Sequence, residues 1–480
     1  MRQNGWTRRD LTRLLLLSAA LPARLAGAAP RRRVGIVGGG MAGVALAWLL
    51  DAERDVVLFE ARDAIGGNVQ SVTVELDGVP FVVDLGAQYF HPGPYPLYSG
   101  LLQSLGLFDP AQPDTGATHA FPASITLFAG GEPTPRFLSP AVPGRAWPLL
   151  LPWNRPGIAA FATAFAAARR REREDADWTT TLGEWLPTIA VSPAQRDGMI
   201  LPWAASLFSG RIDETRDLSA RAAMVFAARA LSANPLAGIA YDVLRRGMIE
   251  VLEILASQCA SATFMTGTAV ESVERSGGGF VVHTGPGAAV PVDDLVLAAS
   301  GPTSLRILRN LPGAEAQAAA LEGIAFYDTR IAIHAEPTYL SARPAFGSFF
   351  NARIDGDTCE ASMAMRDVLA DAPAATAARI FKSWVTHRAE PPGQLLRAAE
   401  FRHMLPSAAT IRAQMTVASL QGRDGVWLAG GYLHPYDAQE TALLSAMRVA
   451  QGLEITSARL QRLAGASGTV ARPAPTPIAD

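Results

Sequence analysis

Apolar residues run unbroken from Val34 to Val37 and from Val56 to Phe59, with the apolar ten-residue stretch Met41–Leu50 between them. Two short β-type runs around a helix-length segment predict a strand–helix–strand unit with strands buried on both faces. Alternating runs at 72–76 and 81–84 flank Asp77-Gly78 and predict a hairpin. Residues 110–156 are rich in proline and glycine with scattered Trp and Phe, and are expected to form an irregular cover. Helical spacing returns at 158–173, 182–186, 194–208 and 219–231. Arg246-Gly247-Met248 opens a helix to Ser257. Strand patterns follow at 263–268, 270–275, 280–283 and 295–299, with glycine turns at 277–279 and 285–287. Patterns at 330–334, 347–351, 359–364 and 377–384 alternate strand and helix. A last buried strand at 426–429 meets Gly430-Gly431, then a loop and a helix over 439–451. Beyond Ser457 the tail is expected to be loose.

Between the first strand and helix stand Gly38, Gly40 and Gly43, a G-x-G-x-x-G spacing. Gly38 permits the tight turn, Gly40 lets backbone N–H groups approach a pyrophosphate, and Gly43 lets helix and strand pack closely. Met41 and Ala42 supply the first helical turn, at the positive end of the helix dipole. The second strand ends in Glu60, 22 residues after Gly38, where a ribose-binding carboxylate belongs. A loop that merely needs positive φ explains neither the strands nor Glu60, so the unit is read as dinucleotide-binding.

Composition narrows the picture. A chain of 480 residues with 49% hydrophobic and 18% charged residues is globular and long enough for two domains. A formal charge of −2 offers nothing to a polyanion, so no nucleic-acid partner is expected. Arginine carries nearly all the positive charge, and lysine occurs once, at Lys382. The seven histidines and two cysteines show no metal-type spacing, so no metal is expected. Cys259 and Cys359 are read either as a disulfide or as two buried thiols.

Residues 1–29 read as a leader. Arg8-Arg9 lies in a twin-arginine pattern, residues 14–21 are a short apolar run, and Ala26-Gly27-Ala28 fits a cleavage site. The run is too short to span a bilayer, and no other stretch approaches a transmembrane span. Export through the twin-arginine machinery to the periplasm or beyond is expected, since that route suits a protein that folds around its cofactor first.

The motifs quoted so far also come in a characteristic order. VGIVGGGMAG…FEARDAIGGN, the DLGAQYF segment, Arg246-Gly247-Met248 and WLAGGY…QETALLSAMRVA resemble the FAD-dependent flavin amine oxidase superfamily. That superfamily includes amine and amino-acid oxidases, phytoene-type desaturases and protoporphyrinogen oxidase. TLGEWL…ILPWAASLFS, RIAIH and FRHMLPSAATIRAQ are similar to a bacterial branch of NAD/FAD-binding oxidoreductases often considered alongside cyclopropane fatty acid synthases.

The resemblance implies an α/β fold, with a Rossmann-like FAD domain and an interleaved α+β substrate domain. The FAD domain would take residues 30–108, 246–310 and 421–460. A mainly helical part (109–245) and a sheet (311–420) would form the substrate domain, followed by a loose tail (461–480). Glu60 would hold the adenosine ribose, and Ala61, Arg62, Gly66 and Gly67 would line the pyrophosphate and ribityl path. Asn68 stands where such families carry Arg, which removes a bidentate phosphate donor. Val270 would meet the adenine through its backbone. Gly86, Ala87, Gln88 and Tyr89 would pass along the isoalloxazine, and Gly430 and Gly431 along the ribityl chain. The helix from Gln439, with Glu440 and Thr441, would aim its N-terminus at the flavin N1/C2 carbonyl, where negative charge appears on reduction. Tyr432 replaces the cysteine that tethers flavin in some relatives, so the FAD is expected to be non-covalent.

The implied reaction is hydride transfer from an organic substrate to flavin N5, with O2 or another acceptor taking the electrons. Many relatives place a Lys near N5 through a water. The sole candidate here is Lys382, read as exposed at a helix end, so the catalytic residue stays unassigned. Tyr89, His91, Tyr432 and His434 are expected to converge on the substrate pocket; the competing reading makes the histidines surface residues. The remaining aromatics of 109–245 are read as core rather than substrate cage. Arg330 and Arg402 are candidate anchors for a substrate carboxylate. Three alternatives stand beside an amine or amino-acid oxidase: a dehydrogenase or desaturase of an apolar acyl or isoprenoid chain, a flavin-binding protein without turnover, and an NAD-dependent dehydrogenase. The last leaves the C-terminal glycine–helix motif unexplained.

Overall fold

The computed structural model describes residues 31–112, 116–140, 145–174, 176–230, 239–285, 287–341 and 343–466. The leader reading falls outside them. The buried apolar runs become a five-stranded parallel sheet. Its order is Thr263–Met265, Asp55–Phe59, Arg33–Val37, Asp294–Leu297, Val426–Leu428. Three distant parts of the chain therefore build one sheet. All ten residues of the helix Met41–Leu50 are buried, and it packs against the helix Gln439–Gly452. A three-stranded antiparallel sheet, Ser272–Ser276, Gly279–His283 and Ala289–Val292, adjoins the parallel one.

A separate seven-stranded sheet carries its own apolar core. Its order is Leu395–Met404, Phe326–His334, Phe381–Trp384, Thr358–Ala364, Phe350–Asp355, Ile125–Ala129, Phe137–Leu138. The last two strands correct the reading of 110–156 as irregular. Phe350 pairs with Ile125, so the strand forms against a partner far away in sequence. Thr118–Pro122 and Ala240–Leu244 join Tyr89–Phe90 in a further small sheet, so 109–245 mixes strands with its helices. The helices Arg155–Arg173 and Ala220–Ala230 contribute to the same apolar core as the seven-stranded sheet.

Several boundaries move for identifiable reasons. The helix expected over 194–208 splits into Pro193–Gln195, a wide π turn at Arg196–Ile200, and Leu201–Ala205. Pro202 has no N–H for the Gly198 carbonyl, and Arg136 Nη1 takes that carbonyl instead at 3.1 Å. The helix expected from Arg246 starts at Ile249. The pattern at 377–384 resolves into the helical turn Ala374–Ala377 and the inner strand Phe381–Trp384. The tail is not loose from 461: the helix Ala458–Ala466 docks through buried Leu460 and Leu463, and Arg459 donates to the Trp48 carbonyl at 2.6 Å. Cys259 and Cys359 are free thiols, the second buried in the substrate-domain core.

Candidate active site

The cradle forms because three glycines leave no side chain between strand and helix. Gly38 holds φ +117°, and a Cβ on Gly43 would stand 1.9 Å from the Gly38 carbonyl oxygen. Gly40 begins the helix Met41–Leu50, and no side chain caps that end, so the first-turn N–H groups of Met41 and Ala42 face the cradle. Glu60 is buried at the end of its strand. Its carboxylate accepts from Gly39 N at 2.7 Å and Arg62 N at 2.9 Å, which draws the acid to the glycine turn. Gly66 and Gly67 lie against this turn. Gly66 N donates to the Gly39 carbonyl at 2.8 Å, and a Cβ on Gly67 (φ +61°) would meet Gly40 Cα at 2.8 Å. Arg62 Nη2 closes onto the Gly67 carbonyl at 3.1 Å, while Ala61 and Asn68 are exposed. Val270 precedes its expected strand, and its carbonyl is taken by Arg306 Nη2 at 3.2 Å.

The far end of the site assembles around residues 84–89. A Cβ on Gly86 would stand 1.9 Å from the Asn68 carbonyl oxygen, so the segment runs tight along the cradle loop. Ala87 N also donates to that oxygen at 3.2 Å. Gln439 Nε2 donates to the Tyr89 carbonyl at 2.7 Å, which ties the start of the C-terminal helix to this segment. Gly430 and Gly431 follow the strand Val426–Leu428; Gly430 N donates to Ser445 Oγ at 2.9 Å, and a Cβ on Gly431 would crowd Asp437 Oδ1 at 2.3 Å. Glu440 and Thr441 spend their side chains inside the protein. Glu440 accepts from Leu97 N and Tyr98 N at 3.0 and 2.7 Å, and burial raises it to about 7. Thr441 Oγ1 caps its own helix by accepting from Ala438 N at 3.0 Å.

Lys382 overturns its sequence reading. It lies on an inner strand and is 1% exposed. Its Nζ donates to the Asp84 carbonyl at 2.7 Å, the Gly86 carbonyl at 3.1 Å and Gln88 Oε1 at 2.6 Å. Three acceptors match the three N–H bonds of an ammonium. Burial still pushes Lys382 well below the ordinary lysine range, with the Asp84 carboxylate resisting. Asp84 is itself buried and raised, while Met248 N and Ser71 Oγ donate to its carboxylate. The adjoining glycine in Arg246-Gly247-Met248 has φ +80°, and a Cβ there would strike Ser71 at 2.5 Å.

The four expected pocket residues sit in different local surroundings. Tyr89 packs edge-on against Phe121 and Phe349 at 5.0 and 5.4 Å in the core of the seven-stranded sheet. It also lines a cavity of about 220 Å³ with Phe81, Gln88, Leu244 and Met365. Tyr432 belongs to a different apolar cluster, with its hydroxyl 3.4 Å from Ser304 Oγ. His434 is buried, not superficial. Its ring meets Arg448, and burial, then that cation, depresses it to about 3, so it stays neutral. His91 Nδ1 accepts from Gly93 N at 3.0 Å, and burial lowers its pKa. Arg402 is closed on Asp328 through two bonds, at 2.5 and 2.8 Å. Gln439 and Ser71 were missed, because neither residue type carries a sequence signal apart from its fold partners.

An uncapped helix start, a buried acid at the second strand end and glycine-only contacts between loops fit a dinucleotide with a long diphosphate. With the second glycine pair and the C-terminal helix, they define a flavin-type cradle rather than a nicotinamide one. The chain belongs to the flavin-containing amine oxidoreductase family, whose sequence profile matches residues 41–328. FAD is its cofactor. A stretch of 93 residues is 39% identical to tryptophan 2-monooxygenase from Pseudomonas savastanoi; it covers 18% of this chain and 17% of that relative. The fold is similar to a putrescine oxidase variant, with 17% identity, TM-score 0.60 and coverage of 88% and 99% of the two chains. It is likewise similar to cyclohexylamine oxidase from Brevibacterium oxydans IH-35A (16%, 0.55, 88% and 100%). A fatty acid isomerase from P. acnes that produces CLA shares the fold too (12%, 0.58, 89% and 99%).

Proposed function

We propose that the protein oxidises an amine or amino acid, with hydride passing from the substrate carbon to flavin N5 and the electrons then to O2 or another acceptor. The observation that carries this reading is Lys382, the only lysine of the chain, buried against Asp84, Gly86 and Gln88. FAD, when bound, supplies the two-electron acceptor; the chain supplies position and proton control. Glu60 and the N–H groups of Met41 and Ala42 would hold the ribose and diphosphate. The Gly86–Tyr89 segment, pinned by Lys382 and Gln439, would fix the plane on which substrate is presented. The lowered pKa lets Lys382 reach the neutral amine form more readily than an exposed lysine, and in that form Nζ can take the proton that an ammonium substrate must lose before oxidation. Tyr89, Phe121 and Phe349 would keep that face dry. Putrescine, cyclohexylamine and tryptophan, named for the relatives, define the first compounds to try.

An apolar acyl substrate is the second reading. It is favoured by Phe81, Val83, Val243, Leu244, Val368 and Leu369 around the cavity beside Tyr89. Anaerobic bleaching of the bound flavin by a panel of amines, amino acids and fatty acyl compounds decides between them. Bleaching by amines or amino acids alone supports the proposal. Bleaching by acyl compounds alone overturns it, and bound FAD that no compound reduces points to a protein without turnover.

The leader reading gives a proposed site of action. Arg8-Arg9 and Ala26-Gly27-Ala28 support export by the twin-arginine route to the periplasm or outside the cell. Substituting Lys for both arginines should leave the protein, with its FAD, in the cytoplasm. Unchanged export would refute this.

A further inference from the structure

We propose that Trp147, Leu150, Trp153 and Phe346 form a contact surface for an anionic lipid bilayer. The sequence Trp147-Pro148-Leu149-Leu150-Leu151-Pro152-Trp153 folds into two short 3-10 turns, Trp147–Leu150 and Pro152–Asn154. Asn154 fastens them from beneath. It is fully buried, accepts from Leu138 N at 3.0 Å, and donates to the Leu138 and Pro148 carbonyls at 2.8 and 3.1 Å. The turns are thereby held with their apolar side outward. Leu150 is 74% exposed and Trp147 36%, two of the four exposed large hydrophobic residues among those described. Phe346 stacks on Trp147 at 6.3 Å and meets Trp153 edge-on at 5.7 Å, so the tip is one continuous aromatic–aliphatic patch. Exposed Pro152, Pro344 and Ala345 extend it.

The two stretches of chain that build the tip carry charge of one sign. No acidic residue occurs in the chain between Glu132 and Glu172, or between Glu336 and Asp355. Those stretches carry Arg145, Arg155 and Arg343. Arg145 lies over the Trp147 ring at 5.9 Å and Arg343 over the Phe346 ring at 5.8 Å. Arg155 and Arg343 are exposed. Tryptophan favours the bilayer interface, leucine gains by entering it, and arginine stems lie along apolar surface while their heads reach phosphate. A second copy docking through the same patch would set these arginines against each other, which disfavours self-association. No helix of the described residues is long and apolar enough to cross a membrane, so the contact is peripheral.

Flotation of the FAD-loaded protein with vesicles tests this, using phosphatidylcholine alone and mixed with phosphatidylglycerol. The wild type should float with the anionic vesicles, less so in high salt, with a blue shift of tryptophan emission. Leu150→Glu should weaken binding about tenfold or more. Arg155→Gln and Arg343→Gln should each weaken it about fivefold on anionic vesicles only. Leu150 is exposed, and retained flavin absorbance will show that the variant is folded. Failure of the wild type to float overturns the proposal, as does Leu150→Glu floating like the wild type. Self-association without vesicle binding, abolished by Leu150→Glu, would also overturn it and assign the patch to a second copy.

Discussion

Lys382→Met tests the centre of the site, because methionine keeps an unbranched chain only one atom shorter and removes every donor. The Asp84 and Gly86 carbonyls and Gln88 Oε1 would lose their partner in a place closed to water. A buried acceptor left without a donor costs about 1–3 kcal/mol. Against that stands the relief of no longer burying an ammonium, also several kcal/mol in scale. The difference should appear as a loss of about 2–4 kcal/mol in denaturant unfolding. The kinetic effect is separate. A segment displaced by about 1 Å, or a missing proton acceptor, each lowers a rate by about a hundredfold. Stopped-flow anaerobic reduction of the flavin by the best amine of the panel should therefore slow by about that factor. The pH profile discriminates position from proton transfer. Burial lowers Lys382, so the wild-type rate should rise through an ionisation well below the ordinary lysine range. That limb should vanish in Lys382→Met if Nζ takes the substrate proton, and should persist at a lower overall rate if the lysine only holds the segment. Reduction at the wild-type rate with the wild-type pH profile would refute the assignment.

Two further outcomes follow from buried carboxylates. Glu60→Ala removes the acceptor for Gly39 N and Arg62 N and should weaken FAD retention about tenfold or more, measured by cofactor release in dilution; unchanged retention would sink the ribose assignment. Glu440 is raised to about 7 by burial, so folding keeps it protonated where the unfolded chain ionises. Its contribution to stability is full below pH ~4.5 and is lost as pH rises through ~7, a fall of about 3 kcal/mol. Glu440→Gln should flatten that part of the stability–pH curve, and an unchanged slope would show that Glu440 does not titrate there.

The glycine turn was legible because its constraint is local. Gly38, Gly40, Gly43 and Glu60 act within one strand–helix–strand unit, so their spacing alone carried the chemistry. The strand Ile125–Ala129 was not legible, since its partner Phe350–Asp355 lies over two hundred residues away and its own stretch is full of proline. Lys382 was misread for a related reason. Its neighbours Phe381 and Ser383 are buried with it, on a strand paired on both sides, and a short run flanked by alanines looked helical. The chain's single lysine still marked itself by being single. Where arginine serves almost every other cationic task, a retained lysine signals a need that guanidinium cannot meet: a compact head with three donors and a removable proton.

The place of that lysine also shows how distant parts of the chain meet at one segment. Asp84 ends the hairpin and Gly86 and Gln88 follow it, whereas Lys382 lies on a strand of the seven-stranded sheet between Phe326–His334 and Thr358–Ala364. From the other side, Gln439 holds the Tyr89 carbonyl from the start of the C-terminal helix. The segment 84–89 is therefore held by Lys382 and by Gln439 at once. Any displacement of the segment must stretch one of these bonds. On the proposed function, the plane that presents substrate and the proton at Nζ would move together, as a hydride transfer that also loses a proton requires of its scaffold.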